Sequence, residues 1–155
     1  MADLLQAFPA FILAMALVAA TGNDVKNIIF VIAFLNAPIY IRYVRAEVLS
    51  LKKRAYIEAS HAAGMSNMYI MFVQLLPNSV RPALIQASIN IGGAILLTAG
   101  LSFIGAGVPV PTAEWGSMIS TGASMILTGQ WWAAFFPGIS LGITVLGFAL
   151  TADFV

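Results

Sequence analysis

The sequence contains no cysteine, a single histidine and few charged residues. Without cysteine there is no disulfide framework, thiol nucleophile or thiolate metal site. His61 has no second histidine or cysteine with which to form a metal site, so we expect a solvated loop residue rather than a ligand or proton relay. Redox and metal chemistry are therefore not expected of this chain.

The sequence is rich in apolar residues and poor in charged ones. Hydrophobic residues make up 61% of the chain, against roughly 45–50% in soluble domains. Several apolar runs approach the length needed to cross the roughly 30 Å hydrocarbon layer. The sequence thus predicts one all-α membrane domain, 1–155, with about four transmembrane helices, which we place at 4–21, 28–43, 83–104 and 131–152.

The positive charge is concentrated in one segment, which sets the orientation. Six of the seven basic residues lie in or beside the loop at 45–78, and basic loops face the cytoplasm. The second loop, 108–130, is then external, and its Trp115 and Gly-rich composition favour one interfacial helix. Because the charge is confined to one loop and interleaved with apolar residues, it does not indicate nucleic-acid binding. The six residues are Arg42, Arg45, Lys52, Lys53, Arg54 and Arg81.

The cytoplasmic loop has the spacing of a helix-turn-helix. Gly64 is placed to end a first helix as a C-cap, and Ser66 is placed to cap a second. Pro77 is expected to end or kink that second helix. Apolar residues in steps of three or four predict an amphipathic first helix, with Lys52, Lys53 and Glu58 on its other faces; they are Val48, Leu51, Ala55, Ala59 and Ala62.

The spans hold few polar residues. Gly-x-Ser-Gly and His-Glu-x-x-His arrangements are both missing, which argues against an intramembrane protease. The first three spans lack Asp, Glu and Lys at mid-membrane, which disfavours a transporter or channel driven by an ion gradient but leaves it as an alternative. Five polar side chains fit equally well as the lining of a solute path or as helix–helix hydrogen bonds, namely Asn36, Gln86, Asn90, Thr98 and Ser102.

The cytoplasmic loop resembles the Glu-Ala-Ala loop of permease subunits in bacterial and archaeal ABC importers. That pattern is Glu-Ala-Ala, three residues, Gly, nine residues, Ile, one residue, Leu-Pro. Here Glu58-Ala59-Ser60, Gly64 and Leu76-Pro77 keep the spacing throughout. Two positions depart from the pattern, since Ser60 replaces the second Ala and Gln74 replaces the Ile.

Other segments extend the resemblance over nearly the whole chain. They are similar to the dipeptide, oligopeptide and nickel branch of the family, which implies the core of a type I ABC importer permease. Such permeases usually carry two further N-terminal spans and a short C-terminal segment, so we expect a truncated permease, with loss of function as one alternative. The matching segments are Leu5 to Pro9, Arg42 to Leu49, Gly92 to Leu96, Leu101 to Gly105 and Pro111 to Gly116.

The resemblance implies how the chain works and with what. The first cytoplasmic helix and its turn would dock on a cytoplasmic ATPase through Glu58, Ala59, Ser60, Ala62, Ala63 and Gly64. Glu58 could instead pair with Arg54, four residues earlier. The chain lacks a phosphate-binding Gly-x-x-x-x-Gly-Lys-Ser/Thr loop, so it should bind no cofactor, and the separate ATPase would use the ATP.

The remaining implied partners are an extracytoplasmic solute-binding protein, membrane lipid and a second permease subunit. The second permease subunit is expected to form a heterodimer with this chain. The implied location is the plasma (inner) membrane of a bacterium or archaeon. Peptides, nickel chelates or related small solutes are the implied cargo. The sequence does not choose among these solutes.

Overall fold

The computed structural model describes residues 8–154, without the side chains of residues 81, 153 and 154. Every regular element in this range is helical, which confirms the predicted all-α class. A π-helical segment, Ile70–Leu75, joins α4 to α5, and a 3₁₀ turn, Ile126–Thr128, follows α6. The α-helices are α1 Ala10–Thr21, α2 Val25–Leu51, α3 Ala55–Ala62, α4 Asn67–Tyr69, α5 Leu76–Phe103, α6 Trp115–Met125 and α7 Trp132–Phe154.

Three of the described helices are long and apolar enough to cross a membrane. The crossing segments are Val25–Leu51, Pro82–Phe103 and Trp132–Ala152, which overlap three of the predicted spans. Helix α1 is apolar but has only 12 residues. Residues 4–7 of the first predicted span lie outside the described residues, so that span stays a prediction.

Helix α2 is longer than the sequence suggested. It begins at Val25 and continues to Leu51, so residues 45–51, which we assigned to the cytoplasmic loop, form its last two turns. Nothing between Pro38 and Leu51 interrupts a helix, because this stretch has no further Pro or Gly. The helix ends where the N–H groups of Lys53 and Arg54 turn back to the carbonyls of Ser50 and Leu51.

Pro77 does not end the second cytoplasmic helix, so that part of the expectation is wrong, while the alternative of a kink stays a prediction. It lies in the first turn of α5, immediately after the π-helical segment. Proline lacks an N–H donor and clashes with the carbonyl four residues earlier in an α-helix, but a first turn tolerates it. Here the preceding bonds already reach back five residues, as in Leu76 N–H to Met71 O. The chain therefore runs from the cytoplasmic turn into the membrane as one helix.

Helix α5 is the centre of the bundle, as its small residues predicted. It packs against α1, α2, α6 and α7. An apolar core of Ala14, Val18, Ile28, Val31, Ile32 and Leu101 joins it to α1 and α2. Helix α6 lies across it so closely that a Cβ at Gly116 would overlap the Ala99 backbone. The four helices around α5 thus fix its position.

Candidate functional site

Helix α3 has one exposed side and one buried side. Glu58, Ala59 and Ala62 are exposed, as are Ala63 and Gly64 at its end. The structure thus brings five of the six predicted ATPase-docking residues together on the surface, within the segment predicted to be cytoplasmic. The sixth, Ser60, is only 7% exposed and points the other way.

The apolar stripe predicted along one amphipathic helix is not continuous, because α2 ends at Leu51 and α3 begins only at Ala55. Val48 and Leu51 contribute to a small core, whereas Ala55, Ala59 and Ala62 are exposed. Ile57 is buried instead, at 1% exposure. An isoleucine side chain removes far more apolar surface from water than an alanine does, so the helix rotates to bury Ile57. The large apolar residue, rather than the regular spacing, was the signal to follow.

Gly64 ends α3 with a Schellman motif. Met65 N–H bonds the Ser60 carbonyl at 3.1 Å, and Gly64 N–H bonds the His61 carbonyl at 3.0 Å. The motif needs a positive φ at Gly64, which is +76°. A Cβ there would meet no atom within 4 Å. The requirement for glycine is therefore one of backbone conformation, and the turn remains thin and open.

A small apolar core holds α3 in place. Ile57 packs with Leu51 from the end of α2 and with Ile70 and Leu75 from the π-helical segment. All four side chains are at most 5% exposed. These contacts make the arms of this segment one packed body, so we call residues 51–75 the cytoplasmic unit, after the side of the membrane predicted for it.

A polar contact lies on the same buried side of α3. Gln74 Nε2 is 2.7 Å from Ser60 Oγ, and Ser60 Oγ is 2.8 Å from the Tyr56 carbonyl oxygen. The sequence marked both residues as departures from the permease pattern but gave no reason to connect them. Their separation of fourteen positions hides the contact until the turn at Gly64 is formed.

The ends of the cytoplasmic unit agree in part with expectation. Ser66 caps α4, as predicted, by accepting a hydrogen bond from Tyr69 N–H at 3.3 Å. Within the part of the chain that the structure describes, Glu58 and Arg54 form no ion pair, so the local alternative for Glu58 is not observed. Both residues are exposed.

An apolar groove opens on the half of the bundle that is predicted to be external. It has a volume of about 770 Å³ and lies between α2, α5, α6 and Leu141 of α7. Thr98 and Glu114 are its only polar lining residues among those the structure describes. The Glu114 carboxylate accepts a hydrogen bond from Ser117 N–H at 2.9 Å, so it caps α6.

The five candidate path residues do not form one cluster. Thr98 lines the groove, while its hydroxyl donates to the Ala94 carbonyl. Gln86 Nε2 donates to Asn90 Oδ1 at 3.3 Å, and the buried Asn90 Nδ2 has no partner within the described residues. Asn36 donates to the Ile32 carbonyl in its own helix. Ser102 is 4% exposed and accepts a bond from Val108 N–H, so it holds the external loop.

Comparison with known proteins gives a family match over the whole chain. Residues 1–155 match the family described as the binding-protein-dependent transport system inner membrane component. The chain is 42% identical to the dipeptide transport system permease protein DppC of Alkalihalophilus pseudofirmus, over 97% of its own length and 49% of that protein. It is 38% identical to the probable D,D-dipeptide transport system permease protein DdpC of Escherichia coli K12, over 97% and 50%.

A third relative is the glutathione transport system permease protein GsiD of Salmonella paratyphi A, at 37% identity over 97% of this chain and 50% of that protein. The chain thus spans about half the length of the curated relatives it matches. The family match, by contrast, covers every residue. This multi-helix membrane chain belongs to the family of binding-protein-dependent transport system inner membrane components.

Proposed function

We propose that the chain contributes the membrane path and the ATPase-docking helix of an ATP-driven importer for peptide-like solutes. The observation that carries this proposal is the exposed side of α3, where Glu58, Ala59 and Ala62 lie together on a packed support, with Tyr56 and His61 also exposed on the same helix. The family supports an importer with ATPase and binding-protein partners in general. Docking through these particular residues, and pairing with a second permease subunit, belong to the proposal.

The chemistry of α3 suits insertion into a groove on another protein. Ala59, Ala62 and Ala63 keep the helix narrow, and Gly64 turns the chain without adding a side chain. Glu58 offers a carboxylate to a basic residue of the ATPase. Such a pair contributes little while exposed, but breaking one that has been desolvated costs about 2 kcal/mol or more.

The membrane half supplies features suited to a solute path. The external groove is lined almost wholly by apolar side chains, with Thr98 inside it. Asn90 Nδ2 is a buried donor without a partner in the described part of the chain, and buried donors normally find one. A solute, a water molecule or a second permease subunit would supply that partner. The relatives named for dipeptides, D,D-dipeptides and glutathione favour a peptide-like cargo.

Co-purification with the candidate ATPase tests the docking surface. Glu58→Ala should weaken association about thirtyfold, equivalent to about 2 kcal/mol, if the carboxylate is desolvated on binding. Gly64→Val should also weaken it, because a β-branched residue is strained at the positive φ of this turn. Titration of labelled ATPase onto the permease in nanodiscs measures both effects.

Two matched variants separate docking from general damage. Asp24→Ala removes an exposed carboxylate from the start of α2, on the predicted external side. Gly129→Val places the same side chain at another positive φ, +87°, where a Cβ also meets no atom within 4 Å. Both controls should bind the ATPase normally. Unchanged association in both Glu58→Ala and Gly64→Val would refute docking through α3.

A further inference from the structure

The side-chain amide of Gln74 bridges the two arms of the cytoplasmic unit. Its Nε2 is 2.7 Å from Ser60 Oγ, in α3, and 3.8 Å from Met65 Sδ, just after the turn. Gln74 itself lies in the π-helical segment on the far side of that turn. One amide group therefore contacts both ends of the α3 turn from the arm that leads into the membrane.

The single proton of the Ser60 hydroxyl sets the direction of this contact. Ser60 Oγ lies 2.8 Å from the Tyr56 carbonyl oxygen, which can only accept a hydrogen bond. Gln74 Oε1 is a second acceptor, 3.0 Å from Ser60 Oγ, but the Tyr56 carbonyl is nearer. Ser60 is therefore assigned as the donor to Tyr56 and the acceptor from Gln74 Nε2. Because Ser60 is buried and Gln74 is half-buried, water competes weakly for the bond between them.

The π-helical segment explains why Gln74 faces α3. Its hydrogen bonds join residues five apart, so Ile70 and Leu75 come to the same side of the helix, with Gln74 beside them. Ile70 and Leu75 pack on Ile57 of α3, and Gln74 continues that contact with a polar bond. The same segment runs without interruption into α5. The bond thus connects the exposed helix to the start of a membrane-spanning helix.

We propose that Ser60 and Gln74 are a positioning pair that fixes the angle of α3 relative to α5. The pair would pass movement of a docked ATPase into the membrane, and in this respect the inference rests on the proposed function. The two positions at which the chain departs from the Glu-Ala-Ala pattern are in direct contact with each other. They therefore act as one unit, in which a single replacement does harm and a matched double replacement does not.

The two single replacements should differ in size. Ser60→Ala leaves Gln74 Nε2 with only the weak Met65 Sδ contact in a half-buried place. Gln74→Ile leaves Ser60 with its bond to the Tyr56 carbonyl, so less is lost. The double variant removes both polar groups and lets the isoleucine extend the adjacent apolar core. Replacing both partners by apolar groups can be nearly neutral.

A double-mutant cycle in the assembled transporter tests the pair with two readouts. The first is amide hydrogen exchange in residues 55–64, which reports the packing of α3 whether or not it docks. We expect exchange about tenfold faster in Ser60→Ala, about threefold faster in Gln74→Ile, and within about twofold of the parent protein in the double variant. Ser140→Ala is the matched control, because that exposed serine bonds only to its own helix.

The second readout is the amount of a radiolabelled dipeptide transported per ATP hydrolysed, which a merely structural contact would not change. The ratio should fall in both single variants and recover in the double variant. If the increase in exchange rate in the double variant equals the product of the two single-variant increases, the pairing is overturned. If the transport ratio is the same in the parent protein and all three variants, the positioning role is overturned. If Ser60→Ala does not fold, a double variant no better than Gln74→Ile overturns the pairing.

Failure of the proposed function leaves a different signature. It appears as normal ATPase association in Glu58→Ala and Gly64→Val, of which Glu58→Ala leaves the Ser60–Gln74 bond and the turn at Gly64 intact. The exchange readout still reports on the pair in that case. The two failures are therefore distinguishable.

Discussion

The cytoplasmic unit and the external groove are held together by different means. In the cytoplasmic unit, four buried apolar side chains and the Ser60–Gln74 bond fasten short helical arms to each other. Around the groove, α6 is pressed against its neighbours at Gly116 and Gly122, where backbone meets backbone. Side-chain contacts thus hold the cytoplasmic unit together. Around the groove, the lack of a side chain on each glycine permits the close backbone contact.

The difference follows from the surroundings of each region. At the predicted cytoplasmic surface water is present, so burying Ile57 and its neighbours would stabilise the unit through the hydrophobic effect. Within the bilayer lipid tails are as apolar as side chains, and close packing of small residues drives helix association instead. The cytoplasmic unit can therefore present a fixed exposed side. The closely packed membrane helices instead enclose a groove of about 770 Å³.

The glycine contact beside the groove is expected to be the most sensitive point. In Gly116→Leu the new side chain would overlap the Ala99 carbonyl, and its Cβ would lie 2.7 Å from Ala99 Cα. Backbone atoms cannot rotate away as a side chain can, so α6 must separate from α5. We expect a loss of about 4 kcal/mol, above the usual cost of overpacking. Unfolding in detergent, followed by circular dichroism, measures it.

Gly147→Leu provides the control for this substitution. Gly147 lies in α7, and a Cβ there meets no atom within 4 Å. The same change should therefore be neutral or slightly stabilising, by about 0.5 kcal/mol, since leucine favours a helix more than glycine does. Equal losses in the two variants would show that close backbone contact does not hold this region.

The core of the cytoplasmic unit should be the next most sensitive. Ile57→Ala removes the central side chain, which is 1% exposed, and should cost about 3 kcal/mol of local stability. The loss should be confined to residues 51–75, because the membrane helices pack elsewhere. Hydrogen exchange resolved along the chain measures it. Ile143→Ala, at a residue 65% exposed on α7, should change stability by about 0.5 kcal/mol at most.

Much of the fold could be predicted because its signals are local. Apolar runs marked three of the crossing helices, small residues marked α5 as central, and Ser66 and Gly64 marked the ends of the cytoplasmic arms. Each of these signals depends on a residue and its near neighbours in sequence. The spacing around Glu58 likewise placed the exposed residues of α3 in one short segment.

The parts that were wrong or missed depend on contacts between distant residues. Apolar residues in regular steps predicted one stripe along one helix, but Ile57 decided which side of α3 is buried once Ile70 and Leu75 were available to pack against it. Pro77 suggested a helix end, yet the π-helical turn before it let the helix continue. Gln74 gained its partner only through the turn at Gly64. No window of sequence contains these partners together.

The Ser66 cap should have the smallest effect, and it tests what holds the turn. Ser66→Ala removes the acceptor for Tyr69 N–H, which normally costs about 1 kcal/mol. The loss here should be at the low end, because the bond is long, at 3.3 Å, and the apolar core and Gln74 still join the two arms. Ser66→Asn, which keeps a capping oxygen, should match the parent protein. Exchange at the Tyr69 amide should rise several-fold in Ser66→Ala while residues 55–62 stay protected, and loss of protection in α3 as well would mean that the cap, rather than the buried core, holds the cytoplasmic unit together.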